Sequence, residues 1–445
     1  MWRFLYNCLL ILATPVVIGV LLAKPRCRPG FFQRMGWGAH PSDAGGSSQP
    51  LIWIHAVSLG EVVAVSPLVK ALHTRHPEFR YMVTTVTETG REAVQQRLSG
   101  IAEHRYAPLD FSWAVTGMIR RVRPTLYIFV ETELWPNLLW SLREGGVPSI
   151  LVNGRLSSRS FRRQDLPLIR SFYRSVVQTL TLCLMQSERD KQRIVALGAE
   201  PGRVHVTGNI KFDQPPPVVR SDETLRRSFG LNEHEQLILA GSTHPGEEEM
   251  LVSAYGQIAK TYPSTVLMLA PRHIERTDRV EAMLREAGFV VQRKSEMLEK
   301  RAGPRVIILD TRGELALAYR EAVVAFVGGT LVPVGGHNLL EPAVWGTPVI
   351  FGPYTDHCAE VATLLQEAGG GCRVTGGDEL VTTLRGWLGQ PETRVRIGQA
   401  AKRVVLDNQG ALIRSVELIE SCLYATPTYS ERYAAAGPRP LMAKR

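Results

Sequence analysis

The most constraining feature of this sequence is a repeated alternation of short, continuous apolar runs with longer stretches of helical periodicity. In the first half of the chain the apolar runs fall at 51–55, 81–86, 125–130 and 148–152, with predicted helices at 61–75, 90–98 and 136–144. In the second half the runs fall at 237–241, 265–270, 305–310, 323–328 and 348–351. Apolar strands separated by helices predict a parallel sheet that is covered by helices on both faces. The predicted fold class is therefore α/β.

The 445-residue chain is long enough for two domains. Residues 213–219 (DQPPPVV) interrupt the alternation with three consecutive prolines, which predict a stiff connector. We therefore predict two doubly wound domains, with ligands bound in a cleft at the carboxyl ends of the strands. The predicted segments are a membrane anchor at 1–24, a basic and Gly/Ser linker at 25–50, the first α/β domain at 51–212, a connector at 213–235, the second α/β domain at 236–425 and a basic tail at 426–445.

An uncharged stretch at residues 4–23 predicts a membrane anchor, since 20 helical residues extend about 30 Å, the thickness of a bilayer core. No small-x-small site precedes Lys24, so a retained anchor is favoured over a cleaved signal peptide. Basic residues mostly follow this stretch, which predicts that the rest of the chain lies in the cytoplasm. Pro15 and Asn7 weaken a deep span, so a shallow insertion remains an alternative.

Composition and missing motifs narrow the classes of function. The net charge is +10, and much of the basic excess lies in residues 1–40 and 426–445, which favours a membrane surface over nucleic acid as the partner. Six cysteines without a C-x-x-C pair argue against a disulfide scaffold or a structural zinc site and fit a reducing compartment. The sequence has no G-x-x-x-x-G-K-[ST] and no D-x-D pair, so neither P-loop ATP hydrolysis nor metal binding through such a pair is expected.

The turn after the first apolar run reads His55-Ala-Val-Ser58-Leu-Gly60-Glu61. Its spacing is that of a capping box, with Ser58 as the N-cap and Glu61 three residues later. A catalytic carboxylate at the end of the strand is one alternative, and a serine nucleophile in an elbow-like A-x-S-x-G is another. The hydrolase interpretation is disfavoured because this strand is the first of its domain and no H-G-G-G-type loop is present.

Further acidic and basic residues follow the strands of the first domain. Glu131 and Glu133 come directly after the run at 125–130, either as acids before a helix that begins at Pro136 or as substrate contacts at the strand tip. Residues 155–174 contain six arginines and a single acid. This run is interpreted either as a solvated helix face or as a site for a phosphate-bearing lipid head group.

Loops of the second domain carry groups that bind anions. They are Ser242-Thr243-His244-Pro245-Gly246, Pro271-Arg272-His273 and Gly335-Gly336-His337-Asn338. Each loop lies between a predicted strand and a helix, so its backbone N–H groups would face the cleft, where Arg272 could pair with a phosphate. Glu341 could accept hydrogen bonds from a ribose diol or complement the helix dipole. Together these loops predict nucleotide binding.

The chain resembles the 3-deoxy-D-manno-octulosonic acid (Kdo) transferases of Gram-negative envelope biogenesis, which are membrane-anchored glycosyltransferases of the GT-B fold. The matching stretches occur in order and are jointly specific. They are WIHAVSLGEV (53–62), VETELWPNLL (130–139), NGRLSSRS (153–160), TGNIKFD (207–213), GSTHPGEEE (241–249), APRHIER (270–276) and FVGGTLVPVGGHNLLEPAVWGTPVIFGP (326–353). The segment 354–358 departs from the family pattern, which leaves its contacts open.

The resemblance implies an inverting transfer of Kdo from CMP-Kdo to a lipid A precursor at the cytoplasmic face of the inner membrane, with no metal and no cofactor. It implies that Glu61 is the general base that takes a proton from the acceptor hydroxyl. Because a helix N-terminus lowers the pKa of a carboxylate, we expect capping and catalysis to compete at Glu61.

The resemblance also implies two groups of binding residues. The donor group is Lys211, Ser242, Thr243, His244, Arg272, Gly335, Gly336, His337, Asn338 and Glu341. The acceptor or cleft group is Ser58, Gly60, Glu131, Glu133, Arg155, Arg162 and Arg163. Two alternatives remain at this point: a GT-B transferase for another nucleotide sugar, and a non-catalytic membrane-anchored protein that binds nucleotides.

Overall fold

The computed structural model describes residues 1–23, 29–37, 49–217, 222–296 and 305–425. Lys24, most of the predicted linker 25–50, part of the connector 213–235 and the tail 426–445 lie outside the described residues. The described residues form two compact units, one containing Met1–Gln214 with the chain from Gln409 onward and the other containing Pro215–Asn408.

The first unit is built on a parallel sheet of seven strands in the order β3-β2-β1-β4-β5-β6-β7. Its strands are β1 (Leu51–His55), β2 (Arg80–Thr85), β3 (Glu103–Tyr106), β4 (Leu126–Val130), β5 (Ser149–Gly154), β6 (Leu182–Met185) and β7 (Val204–Val206). Its helices are α1 (Trp2–Ala23), α2 (Phe31–Arg34), α3 (Leu59–Arg75), α4 (Glu88–Arg97), α5 (Ser112–Val122), α6 (Pro136–Glu144), α7 (Ser158–Gln164), α8 (Pro167–Val177), α9 (Glu188–Ala196) and, from the end of the described chain, α18 (Ala411–Tyr424).

The second unit repeats this arrangement, with a parallel sheet in the order β10-β11-β9-β8-β12-β13-β14. Its strands are β8 (Gln236–Thr243), β9 (Thr265–Pro271), β10 (Val291–Arg293), β11 (Val306–Ile308), β12 (Ala322–Val327), β13 (Val349–Phe351) and β14 (Gly371–Arg373). Its helices are α10 (Asp222–Ser228), α11 (Glu247–Thr261), α12 (Thr277–Glu286), α13 (Leu315–Glu321), α14 (Leu340–Ala343), α15 (Ala359–Glu367), α16 (Gly377–Gly389) and α17 (Pro391–Asp407).

The uninterrupted apolar runs reflect strands that are buried on both faces. All five residues of β1 are buried. Ile52 and Ile54 belong to the core on one side of the first sheet, whereas Leu51 and Trp53 belong to the core on the other side. Since successive strand residues point to opposite faces, both faces require apolar side chains. The predicted α/β class with two parallel sheets is confirmed.

Five strands were not predicted, namely β3, β6, β7, β10 and β14. These strands have only three or four residues each. Four of them lie at the ends of their sheets. A strand at the end of a sheet has a neighbouring strand on one side only, so fewer of its side chains need to be apolar. The sequence of β3 is EHRY, which has no apolar run to identify it.

The predicted second domain extends to residue 425, but the structure places α18 in the first unit. Asp213 accepts hydrogen bonds from the amides of Gly410, at 2.6 Å, and Leu412, at 2.7 Å, at the N-terminus of α18. Farther along, Glu420 binds Arg75 at 2.6 Å and His76 at 2.9 Å. The apolar periodicity of a helix identifies its buried face but not the sheet that it covers, which is why the sequence placed α18 in the wrong domain.

Candidate active site

Many of the predicted site residues of each unit lie at the point where its strand order reverses. In the first sheet β1 lies between β2 and β4, and in the second β8 lies between β9 and β12. In open parallel sheets this reversal opens a crevice beyond the carboxyl ends of the strands, where ligands bind. The loops that follow β1 and β4 carry the predicted acidic residues, and the loops that follow β8, β9 and β12 carry the predicted anion-binding residues.

Glu61 lies in the first turn of α3 and turns back toward the end of β1. Its Oε2 accepts a hydrogen bond of 2.7 Å from the Val57 amide, and its Oε1 accepts one of 3.1 Å from the Ser58 hydroxyl. The predicted capping box was wrong in detail, because Ser58 donates to Glu61 and makes no side-chain bond to the amides of the helix. Two of the acceptor positions of Glu61 are therefore occupied, and the carboxylate is held in one orientation.

The environment of Glu61 favours its neutral form. Burial raises the pKa of Glu61 to about 7, and the nearby carboxylates of Glu131 and Glu133 contribute to that rise. The bonds from Val57 and Ser58 act in the opposite direction but are outweighed. The expectation of a lowered pKa at this helix N-terminus was therefore wrong, since loss of hydration outweighs the hydrogen bonds from Val57 and Ser58. A carboxylate with a pKa near 7 is suited to accept a proton at neutral pH.

Glu131 is held in an uncommon backbone conformation and paired with a lysine. Its φ angle is 61°, in the left-handed region that few residues other than glycine adopt. Its Oε1 accepts a hydrogen bond of 2.8 Å from Lys211 Nζ. Lys211 itself follows Asn209, whose side chain accepts from the Lys211 amide at 3.1 Å. Strained backbone held by a specific ion pair is typical of functional sites.

This pairing places Lys211 beside a residue that was predicted for the acceptor side. Lys211 was grouped with the donor residues, but it belongs to the first unit, whereas the three anion-binding loops belong to the second. Buried Asn153, with a φ of 55°, fixes this lysine loop because its Oδ1 accepts from the Ile210 amide at 3.1 Å. The structure thus groups Lys211 with the acidic residues around Glu61.

A buried histidine that was not predicted as a site residue lies at the end of β1. His55 is fully buried, and its Nδ1 lies 2.9 Å from Thr84 Oγ1. Its ring meets the Trp135 ring edge-on with 4.9 Å between centroids, and Trp135 donates a 2.9 Å hydrogen bond to Glu133. Burial lowers the pKa of His55 to about 4, so the imidazole is neutral at pH 7. Its position as the last residue of a buried apolar run was the available signal.

The remaining residues predicted for the acceptor side occupy three places. Gly60 lies beside Glu61 in the first turn of α3, where an added Cβ would meet only Ser58 Oγ at 4.0 Å, so the surface above this turn is open. Arg155 follows β5, and its amide lies 3.4 Å from the Glu131 carbonyl oxygen. Arg162 and Arg163 are exposed on α7, farther along the chain.

In the second unit, Glu247 connects two of the predicted donor loops. This carboxylate is fully buried and accepts four backbone hydrogen bonds. One comes from His244 at 3.0 Å, and three come from consecutive amides after β12, Gly329 at 2.8 Å, Thr330 at 3.0 Å and Leu331 at 2.9 Å. Glu247 was not predicted as a site residue, although it follows the loop directly. It fixes the backbone that carries several of the predicted donor residues.

The neighbouring Glu248 fixes a second contact of the same loop. It receives two hydrogen bonds of 3.0 Å from Arg276 and one of 2.9 Å from the Thr243 hydroxyl. The predicted donor residue Thr243 is thus fully buried, with its hydroxyl committed to Glu248. The preceding residue, Ser242, has a φ of 56°, in the left-handed region that few residues other than glycine adopt.

Two neutral histidines and one exposed, charged arginine lie on these loops. His244 and His337 stack with an interplanar angle of 7°, and their Nε2 atoms lie 2.8 Å apart, so one ring must donate and the other must accept. Burial, followed by His244 and Arg272, lowers the pKa of His337 to about 4. Arg272 is exposed, and its side chain makes no hydrogen bond or ion pair with the described residues. Such a group attracts an anion.

The glycine turn after β12 is packed against the segment that departs from the family pattern. Gly335 and Gly336 have φ angles of 105° and 85°, which favour glycine. A Cβ on Gly335 would lie 2.8 Å from the His357 ring, and the His357 amide donates to the Gly335 carbonyl at 2.8 Å. The divergent segment 354–358 therefore supports the shape of this turn.

Asn338 and Glu341 contact each other at the start of the short helix α14. Asn338 Nδ2 lies 3.3 Å from Glu341 Oε1, and Asn338 Oδ1 accepts from the Leu340 amide at 3.2 Å. Both side chains lie directly after the glycine turn, as the sequence placed them. Within the described part of the chain, no group of three or more His, Cys, Asp and Glu side chains could hold a metal ion.

Comparison with known proteins identifies relatives over almost the whole chain. A family model of 3-deoxy-D-manno-octulosonic-acid transferases matches residues 29–214. The 3-deoxy-D-manno-octulosonic acid transferase of Haemophilus influenzae is 35% identical over 435 residues, which cover 95% of this chain and 99% of the relative. The enzyme of the same name from Bordetella pertussis is 33% identical, with 84% of this chain and 87% of the relative covered.

Solved structures resemble the two-unit architecture at low sequence identity. A putative UDP-N-acetylglucosamine 2-epimerase from Listeria monocytogenes has a TM-score of 0.58 and 17% identity, and the match covers 84% of this chain and 97% of that one. A glycosyltransferase from Rickettsia africae has a TM-score of 0.57 and 12% identity, with 85% and 100% covered. This likeness concerns the fold alone, and it confirms the predicted GT-B architecture.

Proposed function

The chain belongs to the Kdo transferase family of glycosyltransferases, and from that premise we propose that it transfers Kdo from CMP-Kdo to a lipid A precursor with inversion at the anomeric carbon and without a metal ion. The observation that carries the proposal is Glu61, a carboxylate at the strand reversal of the first sheet whose pKa is raised to about 7.

On the acceptor side, Glu61 takes the proton from the attacking hydroxyl of the lipid A precursor. As the oxygen forms its bond to the anomeric carbon of Kdo, the proton moves to the carboxylate. Burial prepares Glu61 for this step, because a base with a pKa near the working pH is both available and strong enough. The bonds from Val57 and Ser58 keep the carboxylate in place.

On the donor side, the loops of the second unit bind CMP-Kdo. The bond between the anomeric carbon and the phosphate oxygen breaks, and CMP leaves with the electron pair. Arg272 offsets the charge of the phosphate, supported by His244, His337 and the backbone that Glu247 fixes. Asn338 and Glu341 contact the nucleotide. Arg272 thereby supplies the positive charge that a metal ion supplies in glycosyltransferases with a D-x-D pair.

Lys211, which pairs with Glu131, is assigned to the acceptor side in this proposal. The lysine balances one of the two carboxylates near Glu61 and leaves the local charge less negative. The cytoplasmic face of the inner membrane is the proposed location, since the acceptor is a lipid and α1 is apolar and long enough to insert in a membrane.

The deciding experiment incubates purified full-length protein with CMP-Kdo and a tetraacylated lipid A precursor and weighs the lipid product by mass spectrometry. We expect a mass increase of one or more Kdo units. A parallel reaction with EDTA should give the same product, and loss of turnover that Mg²⁺ restores would contradict metal independence.

Two other outcomes would favour the alternative functions. A transferase for another nucleotide sugar would bind a nucleotide but release no CMP from CMP-Kdo. A non-catalytic binding protein would bind CMP equally well before and after Glu61→Gln and would modify no lipid under any condition.

A further inference from the structure

The first turns of α1 are bound to the first α/β unit. Tyr6 donates a hydrogen bond of 2.9 Å to Asp110, and Asn7 exchanges two hydrogen bonds of 3.0 Å with Asn137. The Trp2 indole donates to Ser171 at 3.2 Å and packs edge-on against Phe172.

Arg3 adds an ion pair to this docking site. Its guanidinium contacts Glu144 and donates to the Ser141 hydroxyl at 3.1 Å. Two polar side chains of α1, Arg3 and Asn7, therefore face protein partners on α6.

The chain that follows α1 is bound to the same part of the unit. The Leu109 amide donates to the Arg34 carbonyl oxygen at 2.7 Å, next to Asp110, which binds Tyr6. Arg34 is buried and donates to the Val86 carbonyl at 2.6 Å. The chain thus leaves the unit near Asp110 with α1 and returns to the adjacent residue, Leu109.

This return excludes a spanning orientation. From Tyr6 to its end α1 extends about 25 Å, so a helix perpendicular to the membrane would carry residues 24–28 across the hydrocarbon core. Those residues read Lys-Pro-Arg-Cys-Arg. The chain would then have to recross the core to reach α2 with three basic residues, whose charges are costly in a bilayer core.

We propose that α1 lies in the plane of one leaflet, with its first turns on the same side of the membrane as the α/β units, and that it forms one membrane-binding surface with α7 and α8. The inference does not depend on which sugar the protein transfers. It requires that one side of α1 faces protein or head groups and the other side faces lipid.

The distribution of side chains around α1 meets this requirement. On a helical wheel, Arg3, Asn7 and Thr14 fall on one face, since they are spaced at four and seven residues. The exposed apolar side chains Leu5, Leu9, Leu12 and Val16 fall on the opposite face, and the exposed Phe4 and Ile11 lie beside Asn7 at the border between the two faces. A spanning helix would need no such division, whereas an interfacial helix buries one apolar face.

The neighbouring helices extend the apolar arc and add positive charge. Leu166, Leu168 and Ile169 are 53%, 72% and 40% exposed at the start of α8, close to the Trp2 docking site at Ser171. Exposed arginines accompany them on α7 and α8, namely Arg162, Arg163, Arg170 and Arg174. Exposed leucines among arginines fit an anionic lipid surface, because apolar side chains enter the interface and arginines meet the phosphates.

The orientation is tested on the full-length protein in its native membrane. Uncharged tags with a protease site are placed before Met1 and after Arg445, and both are probed in inside-out and right-side-out membrane vesicles. We expect protease to remove both tags in inside-out vesicles only. Removal of the first tag in right-side-out vesicles and of the second in inside-out vesicles would establish a spanning helix and overturn the proposal.

The membrane-binding surface is tested by titration with vesicles of phosphatidylethanolamine and phosphatidylglycerol. Leu168→Glu should weaken vesicle binding about tenfold. The reason is that the free energy gained when a leucine side chain enters the membrane interface corresponds to at least about a tenfold change in affinity. Leu406→Glu, on α17 of the second unit, is the matched control at 55% exposure and should leave binding unchanged. Equal binding by both variants, with equal melting temperatures, would show that α8 does not enter the membrane interface.

Discussion

The Val57 amide donates a 2.7 Å hydrogen bond to Glu61 Oε2, so the backbone that leaves β1 holds the proposed general base. This bond differs from the reciprocal bond of a capping box, which would use the Ser58 amide. The difference matters for mutagenesis. A side chain that keeps an acceptor oxygen toward Val57 keeps the local structure, whatever happens to its ability to take a proton.

Glu61→Gln should therefore separate structure from chemistry. The amide oxygen of glutamine can accept from Val57, so the melting temperature should stay near that of the wild type, and CMP affinity should be unchanged because the nucleotide loops lie in the other unit. The amide cannot act as a base, and kcat should fall by about 10² to 10⁴. Turnover, CMP affinity and melting temperature are measured on one preparation, and retained turnover would end the general-base assignment.

The pH dependence of turnover should report the ionisation of Glu61. Because only the deprotonated carboxylate accepts a proton, kcat/KM should rise with pH and level off above about 7, the pKa that burial gives Glu61. An acid limb near the ordinary value of 4.5 would mean that the active carboxylate is hydrated. Initial rates across the pH range with saturating acceptor provide the measurement.

Stability should depend on pH in the opposite sense. The pKa of Glu61 is about 7 in the folded protein and near 4.5 when the chain is unfolded, so the folded state holds the proton more tightly and loses stability as pH rises through this window. Glu61→Gln does not titrate. Its free energy of unfolding relative to wild type should thus increase between pH 4.5 and pH 7, by at most about 3 kcal/mol. Denaturant titrations at the two ends of the window test this, and a constant difference would contradict it.

The two charges beside Glu61 should move its pKa in opposite directions. Glu131→Gln removes a carboxylate that raises the pKa of Glu61, so the acid limb of the rate profile should move to lower pH. Lys211→Met leaves the negative charge of Glu131 without its cationic partner, so the acid limb of the rate profile should move to higher pH. Shifts of the same sign in both variants would show that the Lys211–Glu131 pair acts through structure and not through charge.

Arg272→Ala should weaken use of the donor far more than use of the acceptor. A charge-assisted hydrogen bond to phosphate contributes about 1.5 to 3 kcal/mol, so kcat/KM for CMP-Kdo should fall roughly 10- to 100-fold. Arg279→Ala is the matched control, since Arg279 is also an exposed arginine of the second unit. Equal donor kinetics in both variants would place the phosphate elsewhere.

The sequence predicted the sheets better than the contacts of the site. Strand β1 coincides with the predicted run at 51–55, because burial on both faces leaves an uninterrupted apolar signal. The spacing of Ser58 and Glu61 could not reveal which group donates, and the carboxylates of Glu131 and Glu133, which contribute to the raised pKa of Glu61, lie far from it in the chain. The pairing of Lys211 with Glu131 likewise joins positions that no local pattern connects.

Glu247 has a consequence for attempts to change the donor of this protein. Its carboxylate binds the amide of His244 in one loop and three amides in the loop that begins at Gly329. If the backbone conformation of either loop changed, the bonds that its amides make to Glu247 would be lost. Buried hydrogen-bonding groups would then be left without partners. A graft from a transferase with a different nucleotide preference must therefore transplant both loops together with the start of α11, and libraries that diversify one loop alone should yield mostly misfolded variants.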